Sequence, residues 1–91
     1  MARVRVPVML RAAVGGERIV GAAGRTVRDV IRDLEARHPG FAAELLDARS
    51  GELQPFVNVY VNDEDARYLQ GMDTPVREDD VISILPAVAG G

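Results

Sequence analysis

The sequence predicts a single α+β domain in which one main helix covers one face of a mixed sheet of four to five strands. Three observations lead there. Apolar and polar residues alternate with the two-residue period of a strand over 3–10 and 56–62, and the apolar run Val81 to Leu85 reads as a further strand. One stretch, Val27, Val30, Ile31 and Leu34, repeats at the i, i+3, i+4, i+7 spacing of a helix face. A length of 91 residues suffices for one core without covalent staples.

In the first strand, 3–10, Val4, Val6, Val8 and Leu10 share one face, with Arg3, Arg5 and Met9 on the other. Pro7 has no N–H, so a bulge or an unpaired side is expected there. Gly15-Gly16 supplies a turn, and Glu17 to Ala23 returns as a weaker strand around Ile19, completing a hairpin. Thr26 is placed to cap the helix, with Asp29 at the third helical position where a negative charge meets the dipole. Asp33 and Arg37 can pair on its outer side. His38-Pro39-Gly40 ends the helix, because a residue before proline avoids the α region.

Phe41 to Leu46 reads as a further helical turn burying Phe41 and Leu45, and 47–55 as a polar loop. Phe56 to Asn62 is the most strand-like stretch, with Val57, Val59 and Val61 on one face and Phe56, Asn58 and Tyr60 on the other. Asn62 to Asp65 reads as a turn, Arg67-Tyr68-Leu69 as a short strand, and Gly71 to Asp80 as a loop. Val81 to Leu85 is the final strand, closed by Pro86.

Composition narrows the chemistry. Without cysteine there is no disulfide, thiolate metal site or thiol nucleophile. Met1-Ala2-Arg3 runs into a strand pattern with no secretory h-region, and no apolar run approaches a membrane span; a cytoplasmic location with no membrane partner is expected. A net charge of −3 counts against nucleic acid as the main partner. All eleven basic residues are arginine, as codon bias in a GC-rich genome would produce. The α-amine of Met1 is therefore the only amine that could compete for an activated carboxylate.

Catalytic groups are not evident. His38 has no serine or acid placed to form a triad and reads as a helix C-terminal residue. Asp63-Glu64-Asp65 lacks the glycine and the bidentate glutamate of a calcium loop, and Glu78-Asp79-Asp80 reads as a turn. No glycine-rich loop follows a strand and opens a helix. The chain is expected to be no enzyme by itself and to hold no metal.

Beyond a domain of 1–86, the tail Ala87-Val88-Ala89-Gly90-Gly91 carries no charge and nothing larger than valine. Extended, it would reach roughly 17 Å, at about 3.3–3.6 Å per residue. Two readings fit: a frayed terminus, or a flexible, narrow arm able to enter another protein's active site.

The order of elements, the stretch Phe56 to Asp65 and the ending Ile84-Leu85-Pro86-Ala87-Val88-Ala89-Gly90-Gly91 resemble the ubiquitin-like sulfur carriers of the MoaD/ThiS family, within it most closely the CysO branch of actinobacteria. The resemblance covers essentially the whole chain and implies a β-grasp fold. It implies that the carboxylate of Gly91 is adenylated by an ATP-Mg-using, E1-like enzyme and converted to a thiocarboxylate, with Gly90, Ala89, Val88 and Ala87 threading into the partner. In that branch a PLP-dependent cysteine synthase uses the sulfur, and a zinc metallopeptidase releases cysteine; no cofactor is implied on the carrier itself. Family members dock through the sheet face away from the helix, which makes Phe56 and Tyr60 candidate partner contacts. The other reading of these two aromatics packs them under the 47–55 loop. Two alternatives share the tail: a MoaD-like subunit of molybdopterin synthase or a donor to another thio-biosynthetic enzyme, and a ubiquitin-like modifier joined to lysines of targets.

Overall fold

The computed structural model describes residues 1–86. The strands are β1 (Ala2–Arg5), β2 (Ile19–Ala22), β3 (Val57–Val61), β4 (Glu64–Asp65) and β5 (Val81–Pro86), with one α-helix, α1 (Val27–Arg37). They form one sheet in the order β2-β1-β5-β3-β4. β5 runs parallel to β1 and antiparallel to β3, and the outer pairs are antiparallel. With α1 packed across one face this is the ubiquitin-like β-grasp arrangement.

The alternation of each strand decides which face it buries. Val4, Ile82, Ile84, Val57, Val59 and Val61 all point inward, and α1 meets them with Val27, Val30, Ile31 and Leu34. Phe41 and Leu45 are fully buried and close the core beyond the helix. Each such side chain contributes about 1.5–3 kcal/mol through burial. The outer face carries Arg3, Arg5, Ser83, Leu85, Asn58 and Tyr60.

The helix starts where its sequence signal lies. Thr26 Oγ1 accepts the Asp29 N–H at 3.1 Å, and Asp29 Oδ2 accepts the Arg25 N–H at 3.3 Å. The same corner is tied to the loop before β5, as Val27 N donates to Thr74 O and Val76 N to Arg25 O. Gly24 has φ +150°, and a Cβ there would lie 2.7 Å from Asp29 Cβ and 2.8 Å from Val30 N. Only glycine lets the chain pass this close to the first turn. At the far end His38 closes α1, its N–H donating to Leu34 O at 2.7 Å.

Three expectations fail, each for a local reason. The first strand stops at Arg5, and Val8–Val14 forms a 3-10 helix, so Val8 is 75% exposed rather than inward. Of the two outcomes expected at Pro7, a bulge or an unpaired side, the second holds: it stands extended outside the ladder, before the helix, and Gly15 at φ 68° ends that helix, which lengthens the hairpin connection. Arg67-Tyr68-Leu69 is not a strand: Ala66–Tyr68 forms a 3-10 turn, and the short strand is Glu64–Asp65, inside the stretch read as a turn. There Asn62 and Asp63 both take positive φ, making a two-residue hairpin that returns the chain at once. The second strand forms within the expected stretch, over Ile19–Ala22, with Ile19 facing outward at 51% exposure. The tail, 87–91, lies outside the described residues.

Two exposed strand edges are sealed by side chains. Arg37 Nη2 donates to Gly21 O at 2.6 Å and to Asp33 Oδ2 at 2.8 Å, while Asp33 Oδ2 accepts the Ala23 N–H at 3.0 Å. The helix pair thus occupies backbone groups that β2 would offer to another strand. Arg67 does the same for β3 upstream of short β4, donating to Gln54 O and Val57 O at 2.7 Å each.

Several carboxylates sit on backbone N–H groups that favour their charged form. Asp33 is held low by Ala23 and then Arg37, Glu35 by Ala42 and Gly40, Asp47 by Ser50 and Arg49, Asp80 by Arg77 and Asn62. Glu78 is held low by the Met1 ammonium, 2.8 Å away. A carboxyl depressed in the folded state binds fewer protons there than in the unfolded chain. Its contribution is full above the unfolded value and is lost as pH falls through the folded one. The melting temperature should therefore hold from about pH 7 to 5 and fall steadily below about pH 4, with a shallower acid limb in Glu35→Gln. In urea titrations Thr26→Ala should cost about 1 kcal/mol, and Gly24→Ala about 2–3 kcal/mol through the clash with the first turn.

Candidate functional site

The chain reaches its C-terminal segment from the middle of the sheet. In β5, Ile82 and Ile84 go inward, leaving Ser83 and Leu85 on the outer face, and Pro86 stands beside Val57 in register. One row crosses all five strands on that outer face: Ile19, Arg5, Ser83, Tyr60 and Asp65. Leu85 follows one step nearer the tail, opposite Asn58, and is 49% exposed.

Beside Pro86 the surface forms an apolar groove of about 160 Å³, lined chiefly by Pro7, Met9, Leu10, Phe56, Ile84 and Pro86. Phe56 is 57% exposed and is not covered by the 47–55 loop. Its position comes from its neighbours' backbone. Gln54 Nε2 donates to Leu46 O at 3.0 Å, and the Arg67 guanidinium spans Gln54 O, Val57 O and Asn58 Oδ1. A large aromatic ring is thus presented to solvent on a fixed stretch of chain, at the root of the tail. Tyr60 is half-buried on the outer face, where it lines a second concavity with Arg5, Asp63, Ser83 and Leu85. The structure leaves both aromatics outside the core but does not bring them together: Tyr60 lines a concavity with Leu85 on the outer face, while Phe56 lines the groove beside Pro86 with Leu10 and Ile84.

Met9, 68% exposed, also flanks the groove, and the strand reading of 3–10 missed its role. The signal was present as a proline and a left-handed glycine bracketing seven residues, a helix start and stop. Arg3, Arg5 and Arg18 likewise stand on the outer side with no carboxylate partner among the described residues.

The other sequence candidates take structural places. Asp63 lies in the β3–β4 turn, Asp65 accepts the Arg67 N–H, and Asp80 is held by Arg77 and Asn62. Among the described residues no group of three or more His, Asp or Glu could hold a metal ion. No described helix is long and apolar enough to cross a membrane.

Known proteins share this arrangement. The profile of the ThiS family matches residues 4–91. A sulfur carrier protein CysO of Mycobacterium tuberculosis is 48% identical over 89 residues, 97% of this chain and 96% of that protein. A chain in the crystal structure of the Amycolatopsis orientalis BexX/CysO complex superposes with a TM-score of 0.92 at 46% identity, covering 100% of both chains. Small archaeal modifier protein 3 of Haloferax volcanii is 44% identical over 66 residues, 72% of this chain and 70% of that protein. The chain belongs to the ThiS family, small sulfur carrier proteins of the MoaD/ThiS type that are not themselves catalysts.

Proposed function

We propose that this protein carries sulfur as a thiocarboxylate on Gly91 and delivers it to an enzyme that makes cysteine. The observation that carries the reading is the position of β5. The central strand ends at Pro86, beside an exposed apolar groove, and the residues that follow are small, uncharged and end in Gly90-Gly91. The likeness to CysO of Mycobacterium tuberculosis, at 48% identity, supports the choice of client.

The chemistry follows from the end group. An α-carboxyl with a pKa of about 3.3–3.7 is ionised at neutral pH and resists attack. A carboxylate oxygen of Gly91 attacks the α-phosphorus of ATP, held with Mg²⁺ on an E1-like partner, and pyrophosphate leaves. Hydrosulfide then adds to the acyl carbon and AMP departs, leaving a thioacid whose anionic sulfur is a soft nucleophile. Gly90 and Gly91, lacking Cβ, let the backbone approach both reacting centres, with Ala87, Val88 and Ala89 as a narrow stem. A PLP-dependent synthase would use that sulfur to build cysteine still joined to the carrier through the acyl carbon of Gly91, and a zinc metallopeptidase would hydrolyse that bond with water, releasing cysteine and restoring the Gly-Gly end. A cytoplasmic location fits this cycle, since activation draws on ATP.

A second reading is favoured by the likeness to small archaeal modifier protein 3: Gly91 joined by an amide bond to lysines of target proteins. The two readings share adenylation and diverge in the product. Intact mass after incubation with the activating enzyme, ATP and sulfide should rise by the difference between sulfur and oxygen, and a thioacid-specific alkylating reagent should label the product. High-mass conjugates without a labelled thioacid would favour the modifier.

Gly90→Val should fold as the wild type and fail to form the thiocarboxylate; a normal yield would remove the threading argument. Phe56→Ala should leave the melting curve unchanged while weakening the complex with the activating enzyme about tenfold, as for an aromatic anchor worth more than 1 kcal/mol. Calorimetric titration decides the second.

A further inference from the structure

Arginine carries all the side-chain positive charge of this chain, and Arg3, Arg5 and Arg18 stand on the side of the outer sheet face. Arg28 and Arg37 pair with Asp73 and Asp33, and Arg67 is committed to three oxygens around Phe56. Arg3, Arg5 and Arg18, all exposed, form no ion pair and no side-chain hydrogen bond among the described residues. They are gathered in space. Arg3 and Arg5 are two residues apart on the outer face of β1, and Arg18 enters β2, its carbonyl accepting the Val6 N–H at 2.8 Å.

Arg5 and Arg18 border one concavity with Ile19 and Leu85; Arg3 and Arg5 border another with Asp63 and Ser83. Asp63 is the one carboxylate lining the second. Like charges gathered on one side of the molecule repel each other, in a chain whose net charge is −3. The apolar side chains beside them, Ile19 and Leu85, are themselves half-exposed at 51% and 49%.

We propose that Arg3, Arg5 and Arg18 are the electrostatic half of the surface that meets the enzyme receiving the tail, and that they pair with carboxylates rimming that enzyme's tail-entry cleft. The inference rests on the carrier reading of Gly91. Its geometric basis is the register: Arg5 stands beside Ser83 in β5, two residues before Leu85 and three before Pro86. An enzyme that draws in the residues after Pro86 must come against this row. Guanidinium forks accept carboxylates two bonds at a time, which fixes orientation as well as attraction. Apolar residues and Asp63 among the arginines suit an acidic protein surface better than a phosphate backbone, which needs a continuous basic track. The arginines therefore steer encounter and select partners by charge, while Leu85, Ile19 and Phe56 supply apolar contact.

The test is steady-state adenylation of the full chain by the activating enzyme, at ionic strengths of about 0.03 M and 0.3 M. The double variant Arg3→Glu/Arg5→Glu is compared with Arg32→Glu/Arg49→Glu, an equal charge change on exposed arginines away from this face. Urea denaturation establishes that both fold. For the wild type, kcat/KM should fall about tenfold at the higher salt. The Arg3/Arg5 variant should raise KM at least tenfold at low salt with kcat unchanged, and lose or invert the salt dependence. The control pair should keep the wild-type KM and salt slope within about twofold. Equal KM values and salt slopes in all three proteins would overturn this inference alone. Absence of adenylation of the wild type would overturn the carrier reading and this inference with it.

Discussion

β5 is hydrogen-bonded on both sides, parallel to β1 and antiparallel to β3, and every other element takes its place from that double pairing. The parallel contact forces a long crossover, because a parallel neighbour cannot be reached by a tight turn. That crossover holds α1, which covers the inner face, and the 41–55 segment, which closes the core with Phe41 and Leu45. The antiparallel contact with β3 brings Val57 beside Pro86 and so sets Phe56 next to the end of the last strand. A chain whose C-terminal strand lay at a sheet edge would have no such flanks. Here Pro86 closes the best-supported strand of the sheet, with an apolar groove on one side of that strand and a basic concavity on the other.

Rigidity at that point is achieved by polar side chains rather than by more core. Arg67 reaches three oxygens around Phe56, Gln54 bridges to Leu46, and the Asp33–Arg37 pair seals the outer edge of β2. A surface ion pair alone would be worth little. These charges act instead by satisfying backbone groups that would otherwise invite another strand. The cost is borne in acid, where these same carboxylates take up protons.

Much of this fold was legible from residue spacing. The Val27-Val30-Ile31-Leu34 face, the Thr26 cap, the His38-Pro39 stop, the Val57-Val59-Val61 row and the final strand all stand as their patterns imply. Each depends on interactions within a few residues or on a period that only one structure satisfies. The failures share a different cause. Residues 6–10 alternate like a strand, but Pro7 breaks the ladder and no partner strand extends past Arg5, so the same residues wind into a 3-10 helix. Glu64-Asp65 is poor strand sequence, and it pairs only because the Asn62-Asp63 turn folds it onto β3.

The candidate site divides in the same way. The tail's chemistry, small uncharged residues ending in Gly90-Gly91, is a property of covalent order and can be read without any coordinates. So can the outward parity of Tyr60, since side chains alternate strictly along a strand, whereas Phe56 lies in the turn before β3 and takes its direction from that turn. Their company cannot. That Met9, Phe56 and Pro86 flank one groove, or that Arg5 and Arg18 share a concavity with Leu85, joins residues scarcely linked by local pattern. Those neighbours exist because the sheet order is β2-β1-β5-β3-β4, and sheet order is set by which pairings together bury the most apolar surface. Spacing along a chain records the local preferences; the sum over distant contacts that ranks one topology above another appears only when the chain is folded.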